Sequence, residues 1–203
     1  MSEPLEDLPR MTLDEYLAFE EASDVKHEFV DGFVYAMSGT HSRHGRIVGN
    51  LSGHLWMAAR GGLCRIYSND LKVRAPRNRI YYPDVMSVCA PRDDDGLIVE
   101  DPCLLVEVTS PSTSRTDHRE KLDAYRKLSS LRTYLIVEQN RREVHRWWRA
   151  PGGKWQHELL VDSGAVSVPC PELTLTLDEI YEGVTMPPPP KLRIREPEPA
   201  YES

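Results

Sequence analysis

Apolar residues recur along this chain in short blocks of changing period, and the period sorts them into elements. Thr12 to Ala22 carries Leu13, Tyr16 and Leu17 on one side. It opens with Thr12 and Glu15 three apart, the spacing of a capping box, and so predicts a short helix. Asp31-Gly32 stands between two apolar runs within Lys26 to Met37, the strongest short signal for a β-hairpin. From about His44 to Arg60, Ile47, Val48, Leu51, Leu55 and Ala58 keep helical spacing until Gly61-Gly62 stops it. Strands are expected at Cys64–Ser68, Leu71–Ala75 and Asp84–Cys89, while polar, acidic Arg92–Glu100 reads as a loop.

The run Cys103–Thr109 (CLLVEVT) is nearly all apolar, the pattern of a strand buried on both faces, and Ser110-Pro111 breaks it. A third helix is expected over Asp117–Ser130, capped by Asp117 and Glu120. Strands follow at Thr133–Glu138 and Glu143–Arg149, another pair brackets Gly152-Gly153, and a last short helix starts near Leu177. This order predicts an α/β (α+β) domain in which a central mixed β-sheet is flanked by helices, preceded by a helix and a hairpin. Six prolines among the last 17 residues make 186–203 an extended tail. With 1–10 as a flexible N-terminus, one domain spans 11–185, and no internal repeat divides it.

Charge narrows the function classes. With 25 basic and 32 acidic residues the net charge is −7, which disfavours a promiscuous nucleic-acid coat protein. An enzyme that meets DNA through a local basic patch remains compatible. Arginines 74, 77, 79, 141, 142, 146 and 149 are either such phosphate contacts or solvated faces. No apolar run approaches the roughly 18–20 residues of a membrane span, and MSEPLEDLPR has no signal-peptide core. A cytoplasmic protein is expected. The four cysteines are widely spaced with no CxxC pair, so buried free thiols are expected rather than a zinc knuckle or disulfide scaffold.

Three placements bear on chemistry. Glu107 lies in the middle of LLVEV, where an ionised carboxylate is costly unless paired or bound to a metal. Asp84 follows Pro83 into an otherwise apolar strand, either as turn chemistry or as a second acid. Lys121 falls on the stripe of Tyr125 and Leu128 that should face the sheet, as a snorkelling side chain or as one that reaches back over the Glu107 strand. Hard cations such as Mg²⁺ favour one or two carboxylates plus waters and substrate phosphate. Phosphodiester hydrolysis suits such a set. No GxSxG elbow, HExxH pair, Walker loop or GxGxxG is present.

The ordered set of TLDEYL (Thr12–Leu17), HEFVDGFVYAMS (His27–Ser38), His44 with Ile47, Asn50 and Leu51, YPDV (Tyr82–Val85), VEVTSPST (Val106–Thr113), and Asp117, Lys121 and Tyr125 resembles the Uma-two family of restriction endonucleases. That family is a bacterial branch of the PD-(D/E)xK nuclease superfamily, and the similarity covers about residues 11–183. The resemblance implies a restriction-endonuclease-like core with Asp84 and Glu107 as the metal-binding acids and Glu28 as a third carboxylate. The superfamily's usual lysine position holds Thr109, and Lys121 in the next helix matches the relocated lysine of this branch. His44, Asp70 (in the triplet Asp70-Leu71-Lys72), Thr109 and Tyr125 are supporting candidates. The expected activity is Mg²⁺-dependent hydrolysis of DNA, with Mn²⁺ as a substitute and a homodimer as the simplest way to cut both strands. The rivals are an inactive nuclease scaffold that binds DNA or a protein, and a hydrolase of another phosphoester.

Overall fold

A computed structural model of the chain describes residues 10–37, 39, 41–91, 95–109 and 114–188. Residues 1–9, 110–113 and 189–203 lie outside them, and with them the Ser110-Pro111 break and nearly all of the expected N-terminal arm and proline tail.

Helix α1 (Leu13–Glu21) starts at Thr12, whose hydroxyl accepts from the Glu15 amide while the Glu15 carboxylate accepts from the Thr12 amide. Its Tyr16 is fully buried, stacks on Phe29 at 4.8 Å and donates to the His27 carbonyl. Strands β1 (His27–Val30) and β2 (Phe33–Ala36) form the expected hairpin. Its turn holds Asp31 and Gly32 at φ 51° and 92°, the left-handed region that a two-residue primed turn needs.

The hairpin edges a five-stranded sheet in the order β2-β1-β5-β4-β7, with β4 at Lys72–Ala75, β5 at Arg79–Tyr81 and β7 at Ile98–Val99. The expectation of a loop over Arg92–Glu100 is thereby corrected. Ile98 and Val99 pair in parallel with Lys72 and Val73, and two apolar residues in a polar stretch are too few to establish a period.

The central sheet is mixed and six-stranded, in the order β11-β10-β9-β8-β6-β3. It comprises β3 (Arg65–Ser68), β6 (Val85–Val88), β8 (Leu104–Thr109), β9 (Thr133–Glu138), β10 (Glu143–Arg149) and β11 (Trp155–Val161). β8 and β9 are parallel, so the chain must cross back between them, and it does so through a helical segment. This segment comprises α3 (Ser114–Thr116), a π-helical stretch (Asp117–Lys121) and α4 (Leu122–Tyr125). Two expectations fail here. The segment is already helical at Ser114, so Asp117 is interior and does not cap it, and Glu120 instead accepts from the Tyr81 hydroxyl at 2.7 Å. The helix also ends at Tyr125, short of Ser130, and Leu128 and Leu131 continue its apolar spacing only as buried loop residues.

Helix α2 (Ser42–Ala59) lays Ile47, Val48, Leu51 and Leu55 against one face of the central sheet, where Leu104, Val106 and Val108 project. The same layer is closed by an unforeseen hairpin, β12 (Ala165–Pro169) with β13 (Glu172–Thr176), and by α5 (Leu177–Ile180). Leu105 faces the opposite side, toward Leu122, Tyr125 and the five-stranded sheet. Among the described residues no helix is long and apolar enough to cross a membrane.

The cysteines depart from expectation. Cys64 pairs with Cys89 and Cys103 with Cys170, and none is a free thiol. Separations of 25 and 67 residues hide this proximity in the sequence. Cys64 and Cys89 stand opposite one another, one step beyond the Arg65–Val88 partners of β3 and β6.

Candidate active site

The alternation of β8 decides where its acid points. Leu104, Val106 and Val108 fill the α2 layer, so Glu107 must project with Leu105 toward the crossover helix. Lys121 and Asp117 descend from that helix, four residues apart on one face. Glu28 comes from the other sheet, on β1, where all four residues are buried. The Lys121 Nζ lies 2.8 Å from Glu28 Oε1, 3.1 Å from Glu107 Oε1 and 3.5 Å from Asp117 Oδ1. The Tyr125 hydroxyl donates to the same Glu107 oxygen at 3.0 Å, and the Tyr134 hydroxyl donates to the Asp117 carbonyl at 3.2 Å. Tyr81, Tyr125 and Tyr134 pack edge to face in a row beneath the cluster.

Asp84, immediately before β6, joins the two layers. Its Oδ2 accepts from the Val108 amide of β8 at 2.7 Å, and its Oδ1 faces His44 Nε2 of α2 at 3.1 Å. The first bond anchors the carboxylate one residue from Glu107. The second comes from a histidine at the start of α2 that continues the stripe of Val48, Leu51 and Leu55.

Electrostatics follow from burial. Removal from water pushes the Glu107 carboxyl well above the ordinary 4.5; the Lys121 ammonium opposes this, and Asp117, Asp84 and Glu28 reinforce it. Burial works against the Lys121 charge, yet Glu107, Glu28 and Asp117 together push that group well above the ordinary 10.5. The lysine is therefore a permanent cation across the physiological range. Burial, then Glu107, raises the Tyr125 phenol, which stays a neutral donor.

Of the residues singled out from sequence, Glu28, Asp84, Glu107, Lys121, Tyr125 and His44 are all buried. Glu28, Glu107, Lys121 and Tyr125 converge through direct contacts, and Asp84 with His44 adjoins them. Thr109 is also buried but lies beside Glu138. Burial opposes the Glu138 charge, and His118, Thr109 and Arg141 outweigh it, holding that carboxyl below its ordinary value. Asp70 is elsewhere, pairing with Lys26 at 2.6 Å on the surface. Several of the arginines are engaged by the protein itself. Arg79 meets Asp31, Arg74 meets Glu100, Arg142 meets Asp178 and Arg146 meets Glu158. Sequence reading took Asp117 for a cap and missed it as a site carboxylate. Its i, i+4 relation to Lys121 was the available signal.

Four carboxyl groups gather where one ammonium and one imidazole face them, so buried acids outnumber buried bases. A divalent cation with oxygen preference suits that donor set. Asp84 and Glu107 are the candidates to hold it, with His44 and the Val108 amide on Asp84 and Tyr125 on Glu107. Because outer partners of metal-binding carboxylates typically matter about 10–100-fold, His44→Gln is expected to weaken metal affinity or turnover by about that factor. Calorimetric titration with Mn²⁺ checks it, and an unchanged affinity and rate would remove His44 from the site.

The Uma2 family model, described as "Putative restriction endonuclease", matches residues 13–179. Two proteins of Synechocystis sp. (strain ATCC 27184 / PCC 6803 / Kazusa) are similar over much of their length. "Uncharacterized protein slr1290" is 33% identical over 183 residues, 89% of this chain and 96% of its own. "Uncharacterized protein sll1609" is 30% identical over 149 residues, 71% of this chain and 84% of its own. Among solved structures, a "putative nuclease belonging to DUF820" from Anabaena variabilis ATCC 29413 superimposes with TM-score 0.70 at 17% identity, covering 84% of this chain and 97% of that one. The two share a fold.

Proposed function

Since the chain belongs to the Uma2 family of putative restriction endonucleases, we propose that it is a Mg²⁺-dependent DNA endonuclease acting through Asp84, Glu107, Glu28 and Lys121. The observation that carries this reading is the enclosure of Lys121 by Glu28, Glu107 and Asp117, with Asp84 held beside them. Asp84 and Glu107 would hold the cation. A bound Mg²⁺ supplies Lewis acidity toward a phosphodiester oxygen and lowers the pKa of water on it.

The chain's own residues divide the remaining work. Lys121 keeps its proton, so it is no general base; its ammonium orients the attacking water and steadies charge on the scissile phosphate. Glu28 holds the lysine from the facing sheet, and Tyr125 fixes the Glu107 carboxylate so that its free oxygen is aimed. His44 and the Val108 amide do the same for Asp84.

Incubation of the wild-type chain with supercoiled plasmid and with single-stranded DNA, in Mg²⁺, in Mn²⁺ and in chelator, tests the proposal. Cleavage that needs the cation is expected. Salt-sensitive DNA binding without cleavage in either metal would overturn it in favour of an inactive scaffold.

A further inference from the structure

The four cysteines reach one spot from four parts of the fold. Cys64 precedes β3, Cys89 follows β6, Cys103 precedes β8, and Cys170 lies in the turn between β12 and β13. All four pack against the α2-side core, and Cys170 is buried. Cys89 Sγ lies 3.6 Å from Cys103 Sγ, linking the pairs into one cluster, and the ligand sulfurs of Cys89, Cys103 and Cys170 fall within 4.8 Å of one another. Four thiolates around Zn²⁺ at ~2.3 Å stand about 3.8 Å apart along each tetrahedral edge. The Cys89–Cys103 separation is close to that edge, and Cys64, outside that trio, is tied to it through Cys89.

Neighbouring backbone holds the sites in place independently of any bond between sulfurs. The Cys103 amide donates to the Ser87 carbonyl at 2.8 Å, and its carbonyl accepts from Arg132 at 2.9 Å. The Arg65 guanidinium donates to the Cys64 carbonyl at 3.4 Å, bringing positive charge toward a site that four thiolates and one Zn²⁺ would leave at −2. Soft sulfur ligands select thiophilic ions, and tetrahedral S₄ sets without an open position are structural zinc sites.

We propose that Cys64, Cys89, Cys103 and Cys170 form a structural Zn²⁺ site in the reduced protein. Each disulfide takes two electrons and two protons from a dithiol reductant, which leaves as its own disulfide. The four thiols then release four protons to solvent on coordinating the ion. The site lies at the opposite end of β6 and β8 from Asp84 and Glu107, and it clips the β12–β13 hairpin to the central sheet.

The full chain is purified in dithiothreitol without chelator, and its zinc is measured by elemental mass spectrometry. One zinc per chain is expected, with the thiols shielded from alkylation until a chelator is added. Co²⁺ in place of zinc should give the intense sulfur-to-metal absorption and ligand-field bands of a tetrahedral thiolate site. Cys64→Ser, at a half-buried position, should lose that zinc, and its circular dichroism reports whether the fold persists. The Asp84→Ala, Glu107→Ala double variant should retain it, which separates this site from the proposed nuclease centre. Zinc-free wild type with four reactive thiols, or with two disulfides that persist in reductant, would overturn the proposal.

Discussion

Replacing Glu107 with glutamine is expected to lower metal-dependent DNA cleavage by about 10²–10³-fold, the scale of losing one preorganised charge contact, while the protein stays folded. Glutamine keeps the shape and can still accept from Tyr125 and Lys121 at the position where Glu107 now meets them. Lys121 keeps Glu28 and Asp117 as counter-charges, so no buried cation is stranded. The variant should even gain stability at neutral pH. Glu107's folded pKa is raised above the ordinary 4.5, so its native form favours the proton. That contribution is fully present below 4.5 and is lost as pH rises through the folded value. The stability difference between variant and wild type should therefore be small in acid and grow with pH above 4.5. Urea unfolding at several pH values, beside a plasmid assay, reads both effects. Cleavage undiminished by the substitution would remove Glu107 from the metal site.

Lys121→Met should be the most destabilising single change at the site. It leaves Glu28, Glu107 and Asp117 facing one another, all at most 7% exposed, with no cation among them. Stranding buried charge in this way costs about 3–5 kcal/mol. Methionine retains most of the stem volume, so the loss reports charge. Lys121's own folded pKa is raised, so its contribution is fully present below 10.5 and is lost only as pH rises beyond that. The wild type should hold this advantage across the neutral range. In the variant, acid should recover stability as the carboxylates take up protons, and millimolar Mg²⁺ should recover part of it at neutral pH by replacing the missing charge. Chemical unfolding with and without Mg²⁺ is the measurement. A variant as stable as wild type at neutral pH would show that the carboxylates do not depend on this ammonium.

Much of this was legible in the sequence wherever local chemistry and burial agree. The Thr12–Glu15 box and the Asp31-Gly32 turn declare themselves within four residues, and both form. Glu107 is conspicuous because an acid in LLVEV contradicts its neighbours. The crossover helix was harder. Asp117 and Glu120 have the spacing of a cap but stand inside a π-helical stretch, where Asp117 faces Lys121 one turn on and Glu120 serves Tyr81, distant in sequence. Strand β7 has only two residues and exists because β4 offers an edge. The β12–β13 hairpin alternates clearly in the fold, although Pro169 at the end of β12 and Pro171 in the turn interrupt its strand pattern in sequence. The cysteine cluster was invisible for a topological reason, since its members meet only once β3, β6 and β8 are in register.

The contact between Lys121 and Glu28 crosses from the crossover helix to the five-stranded sheet, whereas Glu107 rides on the six-stranded one. The chemistry is thus assembled at a joint, with no single rigid element owning it. A fault anywhere in the docking of the two sheets, such as a poorly seated Tyr16 under β1, would misplace Glu28 relative to Glu107 while each sheet kept its own hydrogen bonds. The proposed activity would therefore be a more sensitive gauge of assembly than any spectroscopic measure of secondary structure.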